Sequence, residues 1–98
     1  MIIGRVDYDL NLLEALDALL TESSVTKAAA RLHTSAPAMS RTLARLRRAF
    51  DDPLLVRAGR DLVPTPRALE LRSEVHAVAT RARALFTAST AADPRTVV

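Results

Sequence analysis

The 98-residue chain contains no cysteine and no tryptophan, only two glycines, and three aromatic side chains, Tyr8, Phe50 and Phe86. Without thiols there are no disulfides, no thiolate nucleophile and no cysteine-ligated zinc. So few aromatics leave little to stack on unpaired bases, which argues against single-stranded DNA or RNA loops as ligands. The glycines stand alone at positions 4 and 59, so no Gly-rich phosphate loop is present. No apolar run approaches the roughly 18 residues of a membrane span. The start, "MIIGRVDYDLN", passes from a short apolar stretch to acids, unlike a secretory signal. The expectation is a cytoplasmic chain with no membrane partner, folded as one small domain around a modest core.

Charge is present but unevenly placed. The net formal charge is +3. Residues 1–26 hold one base and five acids, a net of −4; residues 27–67 hold nine bases and three acids, a net of +6. Within the basic block, "LHTSAPAMSRTLARLRRAF" (residues 32–50) has four arginines and no acid. A concentrated positive block suits a polyanion, with nucleic acid the first candidate.

Periodicity and cap residues order the chain. Leucines at 10, 13, 16 and 20 recur at helical spacing, and Asp9 can cap a first helix over about 10–20, with Glu14 and Asp17 on its polar face. Ser24 can cap a short second helix, Val25 to about Leu32, whose alanines permit close packing. "HTS" is a tight turn. Ser35 can cap a third helix, Ala36–Phe50, with Pro37 in its first turn, where a missing N–H costs little; Pro53 ends it. "LLVR-AG-RDLVP" reads as a short hairpin turning at Ala58–Gly59. Thr65 and Pro66 signal the cap and first residue of a long last helix reaching about Thr87. The fold class predicted is all-α with a small β-hairpin wing: a winged helix-turn-helix over 1–65, a linker helix over 66–90, and a flexible tail over 91–98.

On a helical wheel at about 100° per residue, Met39, Leu43, Leu46 and Phe50 fall together as a buried stripe. Pro37, Arg41, Ala44, Arg45 and Arg48 lie roughly opposite, and Arg47 lies to the flank. Ala36, Pro37, Ser40 and Ala44 keep this face slim. A slim cationic helix can enter a DNA major groove, where long basic side chains reach base edges and phosphates.

The stretch "DLNLLEALDALLTESSVTKAAARLHTSAPAMSRTLARLRRAFDDPLLVRAGRDLVPTPRALEL" resembles the amino-terminal winged helix-turn-helix of the LysR-type transcriptional regulators, from Asp9 to Leu71, with the last helix similar to that family's linker helix. The resemblance implies sequence-specific binding of double-stranded DNA. It sets Ser24, Thr26 and Lys27 near the DNA backbone. It puts Ser35, Pro37, Ser40 and Arg41 at the start of the recognition helix, with Arg45 a turn further on. It assigns Arg57 and Arg60 to wing positions that approach backbone and minor groove, and Pro64 and Thr65 to the junction with the linker. Ala36 departs from the family, where glutamine is frequent; alanine offers a base only a methyl, for thymine. Family members usually continue into an effector-binding domain, which is absent from this chain up to Val98.

In the last helix, Leu71, Val75, Val78, Ala82 and Leu85 are spaced 4, 3, 4 and 3, a heptad seam that predicts a homodimer. The family's linker helices pair antiparallel, in agreement. The alternative is a protein-interaction module whose basic helix docks on an acidic partner. His33 and His76 have no partner at metal-ligand spacing, and Ser35 and Ser40 have no His/Asp companions. No cofactor, metal or catalytic residue is expected.

Overall fold

The computed structural model describes residues 9–92, with side chains from residue 9 to residue 87. The amino-terminal segment and residues 93–98 of the expected tail lie outside the described residues; Ala91 and Ala92 belong to the last helix. The elements run α1 (Leu10–Glu22), α2 (Val25–Arg31), α3 (Ala36–Phe50), β1 (Leu55–Ala58), β2 (Asp61–Pro64) and α4 (Pro66–Ala92).

All four helix starts are closed by the side chains anticipated from sequence. The carboxylate of Asp9 accepts from the Asn11 amide at 2.8 Å, Ser24 from Lys27 at 3.1 Å, Ser35 from Ala38 at 3.2 Å and Thr65 from Ala68 at 3.0 Å. Each satisfies an amide that the helix itself leaves without an acceptor. The helix ends are less ordinary. Ser23, His33 and Asp51 adopt left-handed backbone at φ 50°, 58° and 51°, positions more often given to glycine. At His33 and Asp51 paired bonds run back into the last turn: His33 to Ala30 and Thr34 to Ala29, Asp51 to Arg48 and Asp52 to Arg47. The tight turn of the helix-turn-helix is therefore built on His33.

α1 runs through the centre, with α2, α3 and α4 all packed against it. Leu12, Ala15, Leu16, Ala18, Leu19 and Leu20 are buried. Ala28 and Ala29 bring α2 close, Met39, Leu43 and Leu46 come from α3, and Leu54 and Leu55 anchor the hairpin base. Ala68, Val75 and Ala79 of α4 complete the core. Over residues 15–20 α1 is buried all round, so the expected polar face is corrected at Asp17, while Glu14 stays about one third exposed. Asp17 is only 2% exposed, and its carboxylate meets His76 Nδ1 at 2.9 Å, the Arg83 guanidinium at 2.5 Å and Arg31 at 3.9 Å.

The hairpin is antiparallel, pairing Leu55 with Pro64, Val56 with Val63, Arg57 with Leu62 and Ala58 with Asp61. Its turn is Gly59–Arg60, one residue later than expected. Gly59 takes φ 66°, the positive φ that a two-residue hairpin turn requires at its first central position. Leu54, just before β1, has φ 66° while fully buried. A bulky side chain there is strained and must be held by its surroundings. Asp52 does part of this: its Oδ2 accepts from the Leu54 amide at 2.8 Å and the Thr65 hydroxyl at 2.7 Å.

Those two donors, the Thr65 hydroxyl first and the Leu54 amide second, hold the Asp52 carboxyl below its ordinary value of 3.8. A folded-state value that is depressed adds stability above the unfolded carboxylate's value, lost as pH falls through the folded one. Asp52→Ala is expected to lower the thermal midpoint at pH 7, and the gap from wild type should narrow once pH drops below 3.8. Paired melts at pH 7 and about pH 2.5 check this; a gap equal at both pH values contradicts it.

Candidate nucleic-acid interface

The outward face of α3 follows from the burial of its other side. With Met39, Leu43 and Leu46 in the core, Pro37, Ser40, Arg41, Arg45 and Arg48 are exposed. Ala38, Arg41, Thr42, Ala44, Arg45 and Arg48 line a shallow open depression of about 520 Å³ along this face. Small residues alternate with arginines along it, so the face is both slim and cationic.

Charge sorting leaves this face positive. Acids of α1 and its end engage other bases: Glu22 pairs with Arg31 at 3.5 Å, and Glu14 with Arg83 at 3.1 Å, beside the Asp17 contacts. Among the described residues no carboxylate pairs with Arg41, Arg48, Arg57 or Arg60. Exposed unpaired guanidiniums are suited to phosphate and to the acceptor edge of guanine.

The remaining sequence-assigned positions divide into three kinds. Thr26 and Lys27 at the start of α2, and Arg57 and Arg60 on the hairpin, are exposed. The hydroxyls of Ser24 and Ser35 accept capping bonds, so these residues shape the helix starts, and Ala36 is half-buried. Thr65 is corrected: it is 9% exposed, its hydroxyl lies between Asp52 and the Ala68 amide, and it belongs to the framework rather than to a DNA-facing surface.

The heptad seam of α4 is also divided. Val75 is 7% exposed in the chain's own core, because α4 lies along α1 further than the domain's size suggested. Leu71 and Ala82 are half-buried, whereas Val78 and Leu85 are 47% and 67% exposed. The residues that sequence reasoning missed are Arg47, Asp17, His76 and Arg83. Arg47 donates from Nε to the Pro53 carbonyl and from its terminal nitrogen to the Leu55 carbonyl, both at 2.8 Å. The wheel held a signal, since Arg47 lies only about 70° from the centre of the buried stripe. Asp17 gave a weaker one, an acid within a run of leucines and alanines.

Among the described residues no helix is long and apolar enough to cross a membrane, and no group of three or more His, Asp or Glu side chains is placed to hold a metal ion. Comparison with known proteins agrees with the geometry. Residues 10–69 match the family described as "Bacterial regulatory helix-turn-helix protein, lysR family". Nodulation protein D 1 of Bradyrhizobium sp. (strain NC92) is 57% identical over 67 residues, 68% of this chain and 21% of that protein. Nodulation protein D 1 of Rhizobium meliloti (strain 1021) is likewise 57% identical, over 68% of this chain and 22% of its own length. The chain thus spans about a fifth of the length of these relatives. Among solved structures, a probable transcriptional regulator of Pseudomonas aeruginosa aligns over 78% of this chain and 25% of its own, with 46% identity and a TM-score of 0.69. The BenM DNA-binding domain, in complex with benA site 1 DNA, aligns over 83% and 91%, with 25% identity and a TM-score of 0.71. The four helices and hairpin described above, together with a family match covering most of them, establish that this chain belongs to the LysR family of bacterial regulatory helix-turn-helix proteins and carries that family's winged helix-turn-helix.

Proposed function

We propose that the chain regulates transcription by binding a two-fold site on duplex DNA, with α3 in the major groove and the hairpin on the backbone and minor groove. The observation that carries the reading is the face of α3 opposite its buried stripe, where Arg41 and Arg48 stand exposed and are paired with no carboxylate among the described residues. Arg41, in the second turn of α3, is placed to reach a base edge; Arg45 and Arg48, further along, suit phosphates. Lys27 and the start of α2 would meet the sugar-phosphate backbone. The BenM complex supports this reading, because a domain of the same fold is there bound to DNA. Residues 9–65 supply the duplex-binding surface, and α4 supplies the pairing surface. DNA is the partner, no catalytic group is involved, and the site of action is the cytoplasm.

The proposed dimer seam is Leu71, Val78 and Leu85, seven residues apart, with Ala82 between them. Two of these leucine and valine side chains are left exposed by the domain, although each is large and apolar. Antiparallel pairing of two such stripes would bury them and set two recognition helices on two half-sites.

Three measurements test the reading. Arg41→Ala is expected to weaken binding to a selected duplex by about 1–3 kcal/mol while changing binding to random duplex little; an equal loss on both would reassign Arg41 to phosphate positioning. Neutralising Arg57 and Arg60 together is expected to weaken binding to every sequence and to flatten log K against log salt by about two units. An unchanged slope would remove the hairpin from the interface. Val78→Asp puts a carboxylate beside its symmetry mate in the proposed pair, so sedimentation is expected to show a folded monomer that binds single half-sites weakly. A wild-type chain monomeric at high concentration, or a variant that stays dimeric, places the pairing surface elsewhere.

A further inference from the structure

Arg47 uses its charge differently from Arg41 and Arg48. Its Nε and a terminal nitrogen each donate at 2.8 Å, to the carbonyls of Pro53 and Leu55, which flank the left-handed Leu54. On the other side of the same residue, Asp52 accepts from the Leu54 amide and the Thr65 amide donates to the Leu54 carbonyl at 2.9 Å. Leu54 itself is fully buried. The strained junction between α3 and β1 is thus gripped from both sides. Beyond it the hairpin has little to rest on: from Val56 to Val63 only Leu62 is even half-buried. The direction of the hairpin is therefore set at its base. A planar guanidinium can bridge two carbonyls with fixed geometry, whereas an ammonium is a compact charge with no such fork. Bonds from a charged donor are also stronger than neutral ones.

We propose that Arg47 is a positioning residue: it fixes the angle at which the hairpin leaves α3, and so decides where Arg57 and Arg60 meet the duplex, without itself touching DNA. This rests on the reading that α3 and the hairpin bind DNA. The probe is a duplex selected from a random pool by the wild-type chain. Arg47→Lys keeps the charge but not the bridge; Arg47→Met keeps the apolar stem and loses both. Both variants are expected to weaken binding, and both should flatten log K against log salt toward the slope of the Arg57→Ala/Arg60→Ala pair, by up to about two units. In that doubly neutralised background the further loss from either variant should vanish. Amide exchange on the free variants should quicken across residues 55–64 and stay unchanged in α1. A wild-type slope for Arg47→Lys with a slope lowered by about one unit for Arg47→Met would make Arg47 a phosphate contact and overturn the proposal. Losses that add fully to those of the hairpin pair, or exchange that quickens throughout the domain, would overturn it too. A wild-type chain that enriches no duplex would instead sink the DNA-binding reading itself.

Discussion

A carboxylate hidden among leucines, that of Asp17, ties three of the four helices together. Burying it without partners would be costly, since a charge in an apolar interior loses its water and gains nothing in return. Its partners come from far along the chain: His76 and Arg83 from α4 and Arg31 from the end of α2. Glu14, one turn earlier on α1, shares Arg83. Apolar contact alone would let α4 slide along α1, because alanine and valine fit many registers. A buried carboxylate admits far fewer, since a shift of α4 takes His76 and Arg83 away from Asp17 and leaves its charge short of partners. The cluster thereby selects the register in which Ala68, Val75 and Ala79 enter the core.

That register also decides what remains outside. With Glu14, Asp17 and Glu22 of α1 committed to Arg31 and Arg83, no carboxylate among the described residues pairs with Arg41 or Arg48 of α3. The burial of α1 and the exposure of the recognition face are two sides of one arrangement. The same economy appears at the end of α3, where neighbouring residues divide their roles by a rotation of the helix: Arg48 faces solvent, while Arg47 turns back onto the carbonyls beside Leu54.

Much of this was legible in the residues. The four N-caps, the limits of α3 and the buried stripe of Met39, Leu43 and Leu46 follow from local rules, because caps and periodicity act over a few residues. The features that escaped depend on what lies across the fold. Asp17 reads as a solvent-facing acid until α4 is known to cover it. Val75 reads as part of a dimer seam until α1 is known to reach it. Thr65 reads as a DNA-facing residue by position in the family pattern, yet its hydroxyl is held by Asp52, thirteen residues earlier. The hairpin turn was displaced by one residue because a lone glycine can serve either turn position, and only the pairing of Ala58 with Asp61 settles which.

The anchoring of α4 has a mechanical meaning. His76 and Arg83, seven residues apart and about 10 Å along the axis, converge on the Asp17 carboxylate, and Arg83 also reaches Glu14 one turn earlier on α1. The 27 residues of α4 make a rod of about 40 Å. α3 and α4 both pack on α1, so the direction of this rod is tied through α1 to that of the recognition helix. In the antiparallel pair proposed above, two such rods would make the distance between the two α3 helices a property of the protein and not of a slack tether. Operators would then be distinguished by their helical phasing as well as by their bases.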